Sequence, residues 1–354
     1  MKGTSWRARL SALSGSVAAA VAVSALAPAS DARAALALYE PFNYPVDDMV
    51  NGSLVPNTGL AGVDGQALTG TASPVGYTAP NGNAWFSSGY SAHSGSYSRA
   101  NDALVNANDL SVTGLAHQAS TNAANFGGAG SSPRIAFTSI DNDTVNGSSV
   151  PAYYSFAFRV TDLSATNAAG GLVGGFNNTR GSQSGNPSTV GAALYVKASG
   201  GGYVLGLLEQ GTDATQATYD ITELSLNTTY FVVGKYTING TLNVGGATPT
   251  TDDTAEMWIN PASVTFGGAD PAGSLVAVNN RSDIPTNAGD GSRTVQSFFF
   301  RQGAGNSATN IIVDDLRIGT TYADVTPAVP EPTGLAALGL LGVGALSRVR
   351  RGGK

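Results

Sequence analysis

The chain has 354 residues, 42% of them apolar and 12% charged, with 46 glycines and no cysteine, so disulfides, thiolate metal sites and cysteine nucleophiles are excluded. Its formal net charge is −6, but residues 35–329 hold 10 of the 18 Lys/Arg and 22 of the 24 Asp/Glu, a net of −12. Every basic cluster lies at the two ends, which argues against a nucleic-acid partner, because phosphate contacts need clustered Lys and Arg.

At the N-terminus Lys2, Arg7 and Arg9 precede an apolar stretch from Val17 to Ala27. Ala32-Arg33-Ala34 then offers small residues at the two positions a signal peptidase reads. Residues 1–34 are expected to be a helical secretory signal, cut after Ala34 or, alternatively, after Ala29.

From there the pattern is short apolar or alternating runs, separated by Gly, Asn, Ser and Asp. The expected strands are Ala37–Phe42, Ala84–Ser87, Arg134–Thr138, Tyr153–Val160, Gly171–Phe176, Ala192–Ala198, Tyr203–Glu209, Thr229–Ile238, Ala255–Asn260, Val295–Arg301 and Asn310–Ile318. Only Asp102–Leu110 hints at helical periodicity, as one short helix. Many short strands without helices predict an all-β antiparallel two-sheet sandwich, and the lack of an evident repeat argues against a propeller or solenoid. About 290 residues supply a sizeable core.

Alternation assigns the faces. In "AYYSFAFRV", Tyr154, Phe156 and Phe158 should face the core. In "TYFVVGKYTI" both faces are partly apolar, as in a central strand. In "NIIVDDLRIG", Ile312, Leu316 and Ile318 should share a face with Asp314, with Asp315 and Arg317 opposite. Asp314 is expected to serve the closing strand structurally.

The chain ends on Pro330-Glu331-Pro332, an apolar run from Gly334 to Leu346, and Arg348, Arg350, Arg351 and Lys354. Thirteen residues of helix reach only about 20 Å, short of a hydrocarbon core of roughly 30 Å. The arginines should stay cytoplasmic, with the Pro-Glu-Pro element outside. This order resembles the PEP-CTERM sorting signal of Gram-negative bacteria that make exopolysaccharide. The resemblance implies an exosortase partner at the inner membrane, loss of the tail near Pro330-Glu331-Pro332, and delivery to the cell surface or beyond. The expected organisation is a signal peptide (1–34), a sandwich domain (35–326), a proline-rich linker (327–333) and a C-terminal hydrophobic sorting helix with basic tail (334–354). Thr326–Pro332 should be extended and unpacked, because three prolines in seven residues remove backbone donors.

"YFVVGKYTI", "AEMWINP", "IIVDDLRIGTTYADVTP" and the opening "YEPFNYP" are together similar to LamG-like domains of the concanavalin A-like jelly-roll superfamily. The resemblance implies two stacked antiparallel sheets with the first and last strands paired. It carries no function by itself, since one fold hosts many. LamG-like domains often hold one calcium at the sandwich rim, so Asp141-Asn142-Asp143 with Asn146, Asp252-Asp253 and Asp47-Asp48 are the metal candidates, Asp141 and Asp143 foremost. Asp141–Asn146 fails the EF-hand spacing, and an Asx turn explains it equally well. No other cofactor is implied.

The glucanases of this superfamily carry paired carboxylates, E-x-D-x-x-E or E-x-D-x-E, on one strand face, and this chain has neither string. Glu209/Asp213 and Asp220/Glu223 fall at spacings that split them, and Glu256 stands alone. His93 and His117 sit in Ser/Gly/Asn-rich stretches outside any H-E-x-x-H or G-x-S-x-G motif. Among the aromatics, Trp85-Phe86, Tyr203 and Trp258 could stack on sugar; Trp258 reads as core and Trp85 as the binding candidate. The favoured reading is a non-catalytic exported protein that binds glycan or another envelope component. The alternative is a divergent glycoside hydrolase on the same fold.

Overall fold

Alternating aromatic and β-branched residues produce an almost entirely β structure. The computed structural model describes residues 36–42, 49–50, 53–54, 85–86, 104–106, 109–116, 122–126, 132, 134–141, 149–164, 166–179, 187–239, 251–278, 281–285, 293–301 and 310–329, with main chain only at 49–50, 53–54, 85–86, 104–106 and 141. The expected signal helix and sorting helix lie outside these residues.

In chain order the strands are β1 (Leu38–Glu40), β2 (Met49–Val50), β3 (Ser53–Leu54), β4 (Trp85–Phe86), β5 (Leu104–Asn106) and β6 (Ala123–Phe126). Next come β7 (Arg134–Asp141), β8 (Val150–Val160), β9 (Gly171–Asn177), β10 (Val190–Ser199), β11 (Gly202–Gln210) and β12 (Thr218–Tyr219). The last are β13 (Tyr230–Ile238), β14 (Thr254–Ile259), β15 (Leu275–Val276), β16 (Thr294–Phe300) and β17 (Ile311–Gly319), followed by a one-turn helix α1 (Tyr322–Val325).

They form two antiparallel sheets and a small β2–β3 hairpin. One sheet runs β15-β14-β13-β8-β17-β6-β5, with β1 added on β17; the other runs β12-β11-β10-β9-β16-β7-β4. Leu38 pairs with Ile318 and Glu40 with Leu316, so the first and last strands meet as expected.

Tyr154, Phe156 and Phe158 point inward, as the alternation requires, and meet Phe298 and Phe300 of the facing sheet. The rings of Tyr154 and Phe298 are 5.0 Å apart, and those of Phe156 and Phe300 5.2 Å. Each buried phenylalanine contributes about 1.5–3 kcal/mol through apolar burial, so this cluster dominates the core.

The eight-stranded sheet is covered on its outer face as well. Tyr153, Phe231, Val233 and Trp258 pack there against Leu115, Phe266, Tyr322 and Val325. That is why both faces of β13 read as apolar. Thr321 and Asp324 form a capping box that starts α1.

Three expectations need correction. Within Asp102–Leu110 the expected short helix is replaced at Leu104–Asn106 by strand β5, paired with β6; tertiary pairing overrides a weak local period. In β17, Ile311, Val313, Leu316 and Ile318 face the core, while Ile312 lies on the other side with Leu110 and Ala157. The cause is a bulge between Asp314 and Arg317, with Asp315 at φ +56°, which reverses the phase mid-strand. Residues 326–329 are not an unpacked linker. Thr326 is buried, the Ala116 N–H donates to Pro327 O (2.7 Å), and the Val329 N–H donates to Gly114 O (3.0 Å).

Candidate functional site

The outer face of the seven-stranded sheet departs from ordinary packing. On β10, Leu194 and Val196 point into the core, so Tyr195 points out, where it packs with Leu172, Ala193, Leu208 and Phe299. The same alternation in β16 sends Phe298 and Phe300 inward and Phe299 outward, which puts Arg301 on the outer side too. After β11 the chain folds back over this face, laying Ala214, Ala217 and Tyr219 on the outer cluster. Gly206 permits this, because a Cβ there would come within 2.5 Å of the Tyr219 ring. The Tyr219 hydroxyl then donates to Ala169 O (2.7 Å), tying the two overhanging loops together.

Between these loops lies a cavity of about 180 Å³, lined by Asn167, Gly170, Tyr195, Thr212, Asp213 and Thr215 among others. Tyr195 is 1% exposed, yet among the described residues its hydroxyl has no hydrogen-bond partner. Arg301 Nε is likewise buried without a partner, and no described carboxylate forms an ion pair with Arg301. Burial lowers the Arg301 pKa and raises that of Tyr195. Tyr219 and the Asp213 carboxylate add to that rise, and Arg301 and Arg281 oppose it.

The carboxylates that the sequence offered as acid/base candidates are already committed, on both sheets. Asp213 accepts from the Thr215 N–H (3.0 Å), the Thr215 hydroxyl (2.7 Å) and Gln216 Nε2 (2.8 Å), and these bonds hold its pKa below the usual value. Asp220 accepts from the Thr222 N–H and Glu223 from the Gly201 N–H. Glu209, on the strand of Leu207 and Leu208, is fully buried and accepts from the Arg281 N–H (3.4 Å). Glu256 is opposite Lys235 across β13–β14 and ion-paired with it at 2.9 Å.

A second cluster brings Asp252 and Asp253 together with Asp283, carboxylate oxygens within 4.8 Å of one another. Arg293 already supplies the positive charge: its Nη1 donates to Asp283 (2.8 Å) and lies 3.7 Å from Asp253 and 3.9 Å from Asp252. Asp253 also accepts from the Tyr236 hydroxyl (2.5 Å) and the Asn239 N–H (2.8 Å). Burial nonetheless pushes the Asp253 pKa up to about 6. In the closing strand Asp314 accepts from the Leu110 N–H (3.1 Å) and the Asp315 N–H (2.8 Å), the backbone role expected of it.

Of the sequence candidates, Tyr203 and Trp258 are core residues. Trp258 is 4% exposed and its Nε1 donates to Pro271 O (2.8 Å). Trp85 is in β4 opposite Ile135, and Asp141 ends β7, both as main chain only. Asp47, Asp48, Asp143, His93, His117, Ala32, Ala34, Pro330, Glu331, Pro332, Arg348, Arg350 and Arg351 lie outside the described residues. Sequence reasoning passed over Tyr195, Arg301, Asp283 and Arg293.

No protein-family model and no curated protein matches the sequence. Among solved structures, the chain is similar to an endo-β-1,4-glucuronan lyase from the fungus Trichoderma reesei at 15% identity, covering 63% of this chain and 92% of that one with a TM-score of 0.32. It is also similar to a mutant of Trypanosoma rangeli sialidase displaying trans-sialidase activity (11% identity, 64% of this chain, 29% of that chain, TM-score 0.34). A third is the receptor binding domain of botulinum neurotoxin D (11% identity, 62% and 45%, TM-score 0.31). The chain thus spans less than half of the latter two. No residue role is transferred from any of them.

Proposed function

We propose that this chain is the precursor of an exported, non-catalytic surface or extracellular-matrix protein whose sandwich binds glycan or another envelope component. The observation that carries the binding reading is the cavity of about 180 Å³ lined by Tyr195, whose buried hydroxyl has no hydrogen-bond partner among the described residues. A buried polar group costs free energy unless it is bonded, so such groups mark places where a ligand can supply the bond.

The same face argues against glycoside hydrolysis. That chemistry needs two carboxyl groups roughly 5–9.5 Å apart across the sugar. Beside the cavity the described residues offer Asp213, whose oxygens are engaged by its own turn. Among the described residues the carboxylate cluster Asp252, Asp253 and Asp283 is instead ion-paired to Arg293.

Delivery rests on the two ends of the sequence: the charged and apolar N-terminus closing on Ala32 and Ala34, and the tail with Pro330-Glu331-Pro332 before Arg348, Arg350 and Arg351. In this reading the tail holds the precursor at the inner membrane until an exosortase removes it. A calcium ion bound near Asp141 and Asp143 would belong to the rim of the same domain.

Glycan-array screening of the full-length chain, with and without calcium, tests the binding reading, and saccharides retained over blank spots are the expected result. Mass spectrometry of the protein from its native envelope tests delivery. A surface pool ending at Lys354 would overturn it, as would unchanged delivery after alanine replacement of Pro330, Glu331 and Pro332.

A further inference from the structure

The chain leaves the domain along a strap, residues 326–329, laid between two loops. On one side the Ala116 N–H donates to Pro327 O (2.7 Å) and the Val329 N–H to Gly114 O (3.0 Å); on the other the Gly267 N–H donates to Thr326 O (2.6 Å). The two loops also touch each other, since a Cβ at Gly114 would come within 2.7 Å of the Ser263 side chain. Residues 110–116, 261–269 and 326–329 hold no charged side chain, within a domain of net charge −12. Those exposed on these segments, such as Thr113, Ala262, Gly267 and Ala328, are small. Two apolar side chains stand out among them, Val264 at 89% and Val329 at 54% exposure. Pro330 follows the last bonded residue directly, and the apolar run of the tail starts at Gly334.

We propose that this exit face rests on a lipid surface while the tail is in place, with Val264 and Val329 among the headgroups. This rests on the reading that the tail holds the precursor at a membrane, and it adds which side of the domain meets that membrane. The tether identifies the occupant. Five residues of chain span at most about 18 Å, so an apolar run entering the hydrocarbon begins within that distance of Val329. The headgroup layer to be crossed is itself roughly 5–8 Å deep. The strap is bonded through Val329, so no slack precedes this short span. The chemistry of the face agrees. Small uncharged side chains bring no charge to desolvate, and exposed valines gain by leaving water. Anionic headgroups repel the acidic remainder of the domain, which leaves the uncharged exit as the face that accepts contact.

The chain has no cysteine, so a single labelled cysteine reports on one place. Val264→Cys tests the exit face, and Ile221→Cys, after β12 of the other sheet, is the control; at 89% and 98% exposure neither change disturbs the core. Each full-length protein, carrying an environment-sensitive fluorophore, is bound to protein-free vesicles of phosphatidylcholine and phosphatidylglycerol, with and without lipids bearing a quencher at headgroup depth. The expected result is a blue shift and a loss of emission for the label at position 264 and neither for the label at position 221. Ile221 is the more exposed apolar residue, so general stickiness would favour it instead. A long Gly/Ser spacer between Val329 and Pro330 should return the label at position 264 to water while the chain stays on the vesicles. A label at position 264 that remains in water on vesicle-bound protein overturns the proposal, as does equal quenching at both positions, and the membrane reading survives either result. A chain that does not float with the vesicles overturns the membrane reading, and the proposal with it.

Discussion

The Tyr39 hydroxyl donates a 2.5 Å hydrogen bond to Asp315 Oδ1 across 276 residues of sequence, inside the protein. The bond joins the first strand to the last, and Arg317 completes the arrangement. Its guanidinium stacks 4.5 Å from the Tyr39 ring centre, lies 3.6 Å from Asp315, and donates to Ala116 O (2.6 Å). Asp315 occupies the bulge at positive φ, so its carboxylate is anchored where the strand changes phase.

Tyr39→Phe should therefore destabilise the sandwich more than loss of an ordinary surface bond. Removing the donor from a buried, charge-assisted pair costs about 1.5–3 kcal/mol. Urea unfolding should show a lower midpoint at unchanged slope. A midpoint equal to wild type would mean that the other partners of Asp315 satisfy it without the tyrosine.

Asp314 makes stability depend on pH. Its pKa is pushed up to about 8, by burial first and by the neighbouring Asp315 charge second. The unfolded chain releases this proton near pH 3.9, whereas the fold keeps it until about pH 8. The folded state binds more protons in between, so stability falls as pH rises, by at most about 1.4 kcal/mol per pH unit. The stabilisation is fully present below pH 4 and lost once pH passes the folded value. Asp314→Asn should flatten the decline between pH 6 and 8, a window above the Asp253 value of about 6. Melting temperatures across that range check it, and an unchanged slope would assign the effect elsewhere.

Much of this fold was legible in the sequence, and the reasons are local. Eleven short apolar or alternating runs marked strands, and "AYYSFAFRV" showed its core face directly. The "AANF" of β6 escaped because two alanines carry little alternation signal. The phase reversal in β17 escaped because a bulge at an aspartate has no signature in hydropathy. Site residues were harder. Tyr195 in "ALYVK" and Arg301 after "SFFF" look like a core aromatic and a strand end. Only their being out of phase with Leu194, Val196, Phe298 and Phe300 places them on the outer face. Asp283 and Arg293 come from loops and meet Asp253 only through the fold, so no spacing rule could pair them.

Arg293 holds the charge balance of that carboxylate cluster. Arg293→Gln would leave Asp253 and Asp283 facing one another while buried, and should cost about 3–5 kcal/mol at neutral pH. The loss should shrink as pH falls towards 5, because protonation then removes the repulsion. A loss equally large at both pH values would show that packing of the side chain, not its charge, matters.

Tyr203 supplies a stability counterpart to Tyr195. It is fully buried in the core, edge-on to Tyr230 at 6.2 Å between ring centres, and among the described residues its hydroxyl has no partner. Burial pushes its pKa well up, the response of a phenol that nothing solvates. Leaving such a hydroxyl unbonded costs about 1–3 kcal/mol, whereas the ring contacts survive its removal. Tyr203→Phe should therefore raise stability by about 1 kcal/mol, with no effect on saccharide binding, since the residue faces away from the outer sheet surface. Denaturant midpoints of the Tyr195→Phe and Tyr203→Phe proteins should move in the same direction. A Tyr203→Phe protein of lower stability would show that the hydroxyl is bonded in the core after all, through a buried water.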